Sequence, residues 1–254
     1  MSETVQNGSN WRSVGKTIIL AGGEGKRLNP YTIILPKPLM PVGNIPILEV
    51  IIKQLKKYKL TDVTLAIGYL GNLIQTFFGD GDKFGVKIEY SYEDKPLGTM
   101  GPLSLISGLN KTFMVMNGDL LTSLSYLKLI NYHRFHRIQT RTKRPIATIA
   151  VQRREIETDY GVLEYDKRGV LTKYREKPKL PYQVSMGIYI FEPEILNFIP
   201  RNKKFDFPEL MNLLLKKREK VLVYPSTDYW LDIGRHEDYR KAIEEFDKIK
   251  KQIL

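Results

Sequence analysis

The stretch Leu20-Ala-Gly-Gly-Glu-Gly-Lys-Arg27 decides how this chain is read; it is entered from the β-rich run Thr17-Ile-Ile-Leu20 and followed by Pro36-Lys-Pro-Leu-Met-Pro41. A strand that ends in a glycine-dense, basic loop is a phosphate cradle in prospect. Glycines let backbone N–H groups approach an anion, and adjacent cations neutralise it. Two common cradles are excluded by residue order. A P-loop requires G-x-x-x-x-G-K-[ST], but Leu20 stands at the first glycine and Arg27 at the Ser/Thr position. A dinucleotide fingerprint requires G-x-G-x-x-G, and Gly23-Glu24-Gly25 is followed at the last position by Leu28.

At 254 residues the chain is long enough for one large α/β domain or two small ones. Its 42% hydrophobic and 27% charged content are those of a soluble globular protein. No apolar run approaches the roughly 20 residues that span a bilayer. Residues 1–14 are polar and carry no apolar h-region, so they read as a disordered tail and not as a secretion signal. The absence of cysteine excludes disulfides and thiolate chemistry and is compatible with a cytoplasmic location. The net charge of +12 raises the question of nucleic acid, acidic membranes or anionic small molecules. The densest basic cluster, from His133 to Arg144, reads as a solvated helix end and loop. His133 and His136 share a helical face, but no third ligand stands near them, so they do not read as a metal site. The chain lacks an aromatic-interleaved basic stripe, which argues against nucleic acid; no membrane partner is expected either.

Working outward from the glycine loop, strands and helices alternate through the first half. Strands are expected at Thr17–Leu20, Asp62–Tyr69, Val86–Tyr92 and Thr112–Met116. Helices are expected at Ile47–Lys59, Gly71–Phe78, Leu103–Leu109 and Leu124–His133. Such alternation implies right-handed crossovers and a mainly parallel sheet, with ligands at strand carboxyl ends. The second half reads differently: strands at Ile146–Gln152, Gly187–Phe191 and Val221–Tyr224, and a hairpin from Gly161 to Tyr174 turning at Asp166-Lys-Arg-Gly169. Helices at Pro208–Lys217 and Glu237–Ile253 complete it, the last with Glu244/Lys248 and Asp247/Lys251 at i, i+4 spacing. The expected organisation is one domain, 15–254, with a nucleotide-binding part over about 15–135 and a sugar-phosphate-binding part over about 145–235.

Further segments carry chemistry. Lys37 is fixed between Pro36 and Pro38, which limit where its ammonium can wander. Lys95-Pro-Leu-Gly-Thr-Met-Gly-Pro102, with Gly98 and Thr99, permits close approach to a flat or anionic ligand. Asn117-Gly-Asp119 follows an apolar strand; its carboxylate beside a phosphate cradle suits Mg²⁺, although Asn-Gly also makes tight turns. Glu176 and Lys177 could meet a sugar hydroxyl and a phosphate, and Asp232, in Trp230-Leu-Asp-Ile-Gly234, could be a second metal carboxylate. Each feature alone has a structural explanation, such as a buried Asp bonding a backbone N–H. Together they suit nucleotide phosphate chemistry.

Taken in order, these segments resemble the sugar-1-phosphate nucleotidyltransferases over roughly Lys16 to Ala242. That family's start motif, approximately L-A-G-G-x-G-T-R-L-x-P-x-T then P-K-P-L-x-P-V, stands here as Leu20-Ala-Gly-Gly-Glu-Gly-Lys-Arg-Leu-Asn-Pro-Tyr-Thr32 and Pro36-Lys-Pro-Leu-Met-Pro-Val42. The resemblance implies a Rossmann-like, glycosyltransferase A-like α/β domain with a mixed, mainly parallel sheet. It implies the reaction of an NTP with a sugar 1-phosphate to give an NDP-sugar and pyrophosphate, by in-line attack without a covalent enzyme intermediate. Arg27 would stabilise the departing pyrophosphate, with Leu20, Ala21, Gly22, Gly23, Gly25, Lys26, Gly98 and Thr99 around the nucleotide. Lys37 would hold phosphate oxygens near the reacting centre. Lys177 would grip the sugar phosphate, while Gly161, Glu176 and Gly187 would face the sugar. Asp119 and Asp232 would bind Mg²⁺.

Pro96-Leu-Gly-Thr-Met-Gly-Pro-Leu103 is similar to the P-L-G-T-A-G-P-L of mannose-1-phosphate guanylyltransferases, with Met100 replacing Ala. GTP with mannose 1-phosphate or a heptose 1-phosphate is therefore the first expectation. Other expectations are another base (dTTP, UTP or CTP), phosphocholine as acceptor, or a catalytically silent nucleotide-sugar sensor. Retention of Arg27, Lys37, Asp119, Lys177 and Asp232 argues against the sensor. Two departures stand out: Lys26 replaces the usual Thr, and Val184-Ser-Met-Gly187 replaces a common V-N-A-G. The chain stops soon after Gly234, so the C-terminal β-helix of longer relatives, and roles that rest on it, are not expected. Homo-oligomerisation is left open.

Overall fold

Seven strands form one sheet in the computed structural model, which describes residues 14–254. They are β1 (Thr17–Leu20), β2 (Asp62–Ile67), β3 (Lys87–Tyr92), β4 (Phe113–Asn117), β5 (Ala147–Glu157), β6 (Lys179–Phe191) and β7 (Val221–Ser226). Their spatial order is β7-β5-β6-β4-β1-β2-β3. All neighbouring pairs are parallel except that β6 runs antiparallel to both β4 and β5. The sheet is therefore mixed and mostly parallel, as expected, and both halves of the chain share it. The sequence expectation of a tail at 1–14 falls outside the described residues save for Val14, which is buried.

Alternation along the central strands explains the layers. Ile19, Leu65, Met114 and Met116 point to one face, and Ile18, Ala66, Phe113 and Val115 to the other. Helices α1 (Ile47–Lys57), α2 (Gly71–Phe78), α3 (Tyr126–Gln139) and α5 (His236–Ile253) cover the first face. Helix α4 (Phe207–Lys216) covers the second through Leu210 and Leu214. Full burial of a Leu or Ile side chain contributes about 1.5–3 kcal/mol before entropy is counted. Ile18 and Ile19, both wholly buried, thus anchor the strand that carries the glycine loop.

Three expectations change. Leu103–Leu109 is not a helix: a 3₁₀ segment, Gly101–Leu105, is all that forms. Pro102 opens it, and the N–H groups of Met100 and Gly101 donate to Phe205 O at 2.9 and 3.0 Å, tying the segment to another part of the chain. Strands β5 and β6 extend well beyond the expected Ile146–Gln152 and Gly187–Phe191, making a long antiparallel arm. At its end a separate two-stranded ribbon, Val162–Tyr165 with Leu171–Arg175, forms the expected hairpin. In α5 the ion pair found is Lys241–Glu245, at 3.9 Å, in place of the two expected from spacing.

The basic cluster from His133 to Arg144 begins in α3 and ends in a loop. Two of its cations make structural contacts. Arg137 Nη1 donates to Pro145 O at 2.9 Å and Lys143 pairs with Glu219 at 2.9 Å. His133 is fully buried, with Nδ1 2.7 Å from Thr148 Oγ1 and Nε2 2.9 Å from Glu192 Oε1, so both ring nitrogens are occupied. Among the described residues, no helix is long and apolar enough to cross a membrane.

Candidate active site

Strand β1 delivers the glycine loop to the carboxyl edge of the sheet, between β2 and β4. Ala21 N–H donates to Ala66 O at 2.8 Å, Gly118 N–H to Leu20 O at 2.9 Å and Tyr69 N–H to Gly22 O at 3.2 Å. Gly25 adopts the left-handed conformation (φ 64), where a side chain would be strained. The buried Thr32 hydroxyl locks this turn by donating to Gly25 O at 3.0 Å. None of these bonds uses the N–H groups of Gly22 to Gly25, so the loop is fixed by its ends and its carbonyls. Lys26 pairs with Glu24 at 2.8 Å, and that hydrogen bond and charge raise its pKa. Its added cation is thus partly answered within the loop.

The loop roofs a cavity of about 560 Å³. Leu20 to Arg27, Lys37, Gly98, Thr99, Asp119, Asp232 and Gly234 all line it. Lys37 sits in the 3₁₀ turn Lys37–Leu39, only 8% exposed, and its ammonium forms an ion pair with Asp119 Oδ2. Asp119 follows β4 directly. A short antiparallel ribbon, Leu120–Thr122 with Trp230–Asp232, pairs Leu120 with Asp232 and so brings the second carboxylate beside the first. Ile233 N–H donates to Asp119 O at 3.1 Å, closing that junction. Trp230 holds the ribbon from behind by donating from Nε1 to Met186 O at 2.9 Å. The Arg27 guanidinium lies over Gly234, where a Cβ would stand 3.4 Å from Nη2.

Electrostatics couple the two acids. Burial, and then the Asp119 charge, push the Asp232 carboxyl up to about 6, while Lys37 and Arg27 pull it the other way. Asp119 Oδ1 is buried and has no hydrogen-bond partner. Two adjacent carboxylates, one with an orphaned oxygen, form a donor set that fits a hard, oxygen-preferring divalent cation. No group of three His, Cys, Asp or Glu side chains placed to hold a metal occurs among the described residues. Asp119 and Asp232 are the carboxylates that would hold such an ion.

One charged cavity residue was not anticipated from sequence. Glu93, just past β3, lies against the backbone of Gly22 and Gly68: a Cβ on Gly22 would stand 2.1 Å from Glu93 Oε1, and one on Gly68 3.0 Å. Leu97 N–H donates to Glu93 Oε2 at 2.8 Å, and burial raises this carboxyl's pKa against that bond. The glycines admit the carboxylate, and Glu93 lines the cavity. Opposite it, Gly98 and Thr99 are held from α4. Thr99 N–H donates to Asp206 Oδ1 at 2.9 Å, and Phe207 N–H donates to Thr99 Oγ1 at 2.7 Å.

The structure does not gather every expected residue. Gly161, Glu176 and Lys177 lie on the arm and do not line this cavity. Glu176 accepts from Tyr174 Oη, and Lys177 occupies the left-handed region (φ 39). Gly187 (φ 70) packs against Asn117, where a Cβ would meet Nδ2 at 2.7 Å, and marks the break in β5–β6 pairing between Ser185 and Tyr189.

Comparison with known proteins accords with this geometry. The family model described as "Nucleotidyl transferase" matches residues 16–249. The UTP–glucose-1-phosphate uridylyltransferase of Synechocystis sp. is 33% identical over 90% of this chain and 62% of its own length. The mannose-1-phosphate guanylyltransferase catalytic subunit beta of Drosophila pseudoobscura pseudoobscura is 32% identical over 93% of this chain and 62% of its own. The chain thus spans 62% of the length of each of these curated relatives. Among solved structures, HddC from Yersinia pseudotuberculosis, complexed with GMP-PN, is similar at a TM-score of 0.68 and 25% identity, over 92% of this chain and 100% of that one. With the glycine loop, Lys37 and the paired aspartates in one cavity, the chain belongs to the nucleotidyl transferase family, that of the sugar-1-phosphate nucleotidyltransferases.

Proposed function

We propose that the protein transfers a guanylyl group from GTP to mannose 1-phosphate or a heptose 1-phosphate, releasing pyrophosphate. The convergence of Arg27, Lys37, Asp119 and Asp232 on one glycine-roofed cavity carries the reaction class. A phosphate oxygen of the sugar 1-phosphate attacks the α-phosphorus, the new O–P bond forms, and the α–β bridging bond breaks with its electrons leaving on pyrophosphate. The protein's part is positioning and charge neutralisation. Arg27 and the N–H groups of Gly22 to Gly25 receive the pyrophosphate charge. Lys37, buried and oriented by Asp119, faces the reacting phosphate. Mg²⁺ held by Asp119 and Asp232 would neutralise phosphate oxygens, with its other ligands coming from water and substrate. Lys177 and Glu176 serve the sugar phosphate in this reading, which requires the arm to approach the cavity mouth.

Glu93 supports the choice of base. Guanine offers an N–H and an amino group side by side, which a carboxylate accepts as a pair. Uracil and thymine offer one N–H flanked by two carbonyls, which a carboxylate repels. The Drosophila relative's name and the nucleotide in the Yersinia structure's title point the same way for those proteins. A pyrimidine nucleotide is the second reading, favoured by the Synechocystis relative.

The deciding assay is pyrophosphate release with four NTPs against glucose, mannose and heptose 1-phosphates, with and without Mg²⁺. GTP with one of the last two acceptors should turn over fastest. Asp119→Asn should lower kcat by about 10²–10³-fold with an unchanged circular dichroism spectrum. Wild-type turnover in that variant removes Asp119 from the reaction, and no turnover with any pair supports a nucleotide-sugar sensor instead.

A further inference from the structure

A second cavity, of about 340 Å³, lies at the β3 edge of the sheet. Register sets Thr64 beside Glu89 and Ala66 beside Ser91, and Ala66 belongs to the second core, so these side chains share the second face. Thr64, Glu89 and Ser91 line the cavity from the strands, and Asp94 from just beyond β3. Ser107 and Asn202 complete its polar lining. Asn202 is fixed in place: it adopts the left-handed region (φ 50), which asparagine tolerates, and its N–H donates to Ser104 Oγ at 3.2 Å. Ser104 Oγ in turn donates to Gly101 O at 2.7 Å. Thr64 is 3% exposed, and its buried hydroxyl has no hydrogen-bond partner. Buried hydroxyls in folded proteins are nearly all paired, so this one destabilises the chain until an occupant of the cavity completes it. The cavity shares no lining residue with the glycine-roofed one.

We infer that this cavity binds a neutral sugar through its hydroxyl groups. The chemistry of the lining sets the other ligand classes aside. Glu89 and Asp94 repel an anion, and among the described residues no Lys, Arg or His lines the cavity to attract one. A cation meets Glu89 already ion-paired to Lys16 and, at 2.6 Å, to Lys87, whose ammonium groups repel it. An apolar molecule leaves the Thr64 hydroxyl unpaired. Sugar hydroxyls both donate and accept, which this lining requires. A carboxylate offers about four acceptor sites; the two lysines take two on Glu89 and leave the others for hydroxyl donors. Asp94 has no bonding partner among the described residues, so both its oxygens are open to a pair of adjacent hydroxyls. The Asn202 amide offers a donor and an acceptor side by side. Leu105, 40% exposed, adds an apolar contact for the C–H face of a ring. The volume is at the small end of the roughly 300–1,000 Å³ of ligand pockets, which suits one or two sugar rings.

The test uses the full chain with D-mannose, D-glucose and maltose, none of which carries the phosphate that the proposed transfer needs. Titration followed by amide NMR should give a dissociation constant of about 1–10 mM for at least one of them, with shifts centred on Ser91, Ser107 and Asn202. Thr64→Val keeps the shape of the side chain and removes its hydroxyl. This variant should bind that sugar at least about tenfold more weakly, yet should itself melt about 2–4 °C above the wild type, because an unpaired buried hydroxyl is gone. A fall in the melting temperature would mean that the hydroxyl is satisfied within the chain, and overturns the inference. Asp94→Ala, at an exposed position, should weaken sugar binding by a similar factor and keeps the test open if the first variant misfolds. The inference also fails if no sugar binds below about 50 mM, or if the variants bind it as the wild type does. Shifts centred on Asn117 and Gly187 would place the sugar elsewhere and overturn it. So would spermidine or inorganic phosphate shifting the same amides at lower concentration than any of the sugars.

Discussion

Glu93 makes the sharpest prediction at the scale of single residues. Glu93→Gln replaces one acceptor oxygen of the pair with an amide donor while keeping the shape, so Leu97 N–H can still be satisfied. A guanine facing it loses one of two adjacent hydrogen bonds, and a bidentate base contact is worth about 1–3 kcal/mol of discrimination. The ratio of kcat/KM for GTP over UTP should therefore fall by about 10–100-fold. An unchanged ratio would show that the base is read elsewhere. Arg27, Lys37, Asp119 and Asp232 were legible in the sequence because short, rigid local motifs carry them, each at a strand end or a proline-fixed turn. Glu93 was not. Its place in the cavity comes from the gap that Gly22 and Gly68 leave for its carboxylate, both far from it in the chain. Glu176 and Lys177 are the reverse: a legible motif whose side chains stand outside the cavity.

At the scale of elements, α4 does more than fill the second core. Its N-cap residue Asp206 accepts from Thr99 N–H, and Phe205 O accepts from Met100 and Gly101 N–H, so one helix start holds the whole Gly98–Gly101 wall. Asp206→Ala removes the side-chain part of that clamp and leaves the carbonyl part. The NTP KM should rise about tenfold while kcat changes less than about threefold, since the residues proposed to handle phosphate sit on other elements. A proportionate fall in kcat with KM unchanged would sink this assignment. The same tie explains why Leu103–Leu109 was misread as helix: its apolar residues pack against β-strand and α4 residues from a short 3₁₀ turn. Strands β5 and β6 were read too short for a different reason. Their inner halves are buried and read as apolar runs, whereas their outer halves, in the arm, are exposed and mixed in charge, so no burial pattern marks them.

For the whole molecule, the sequence pattern indicated a mainly parallel sheet but not where the second half joins it. That junction depends on β6 inserting antiparallel between β4 and β5, and on polar contacts no local motif announces. Glu192, at the end of β6, accepts from Thr112 Oγ1 at 2.8 Å, contacts His133 at 2.9 Å and pairs with Arg137 at 3.4 Å. It thus joins the entry to β4, helix α3 and strand β6. Burial alone would raise this carboxyl's pKa, but the hydrogen bonds from His133 and Thr112 and the Arg137 charge outweigh it and hold it below the ordinary value. Glu89, bonded by Lys16 and Lys87, is likewise lowered, to about 2. A depressed carboxyl stabilises the fold above its unfolded pKa, and that stability is lost as pH falls through the folded value. Urea stability should therefore drop from about pH 5 downward. Glu192→Gln should cost about 1–3 kcal/mol at neutral pH, because it leaves buried donors partly unmatched. The gap between variant and wild type should then narrow as acid protonates the wild-type carboxylate. Denaturation curves for the two that stay parallel from neutral pH to pH 3 would mean that Glu192 is not the ionised hinge between the two halves of the sheet.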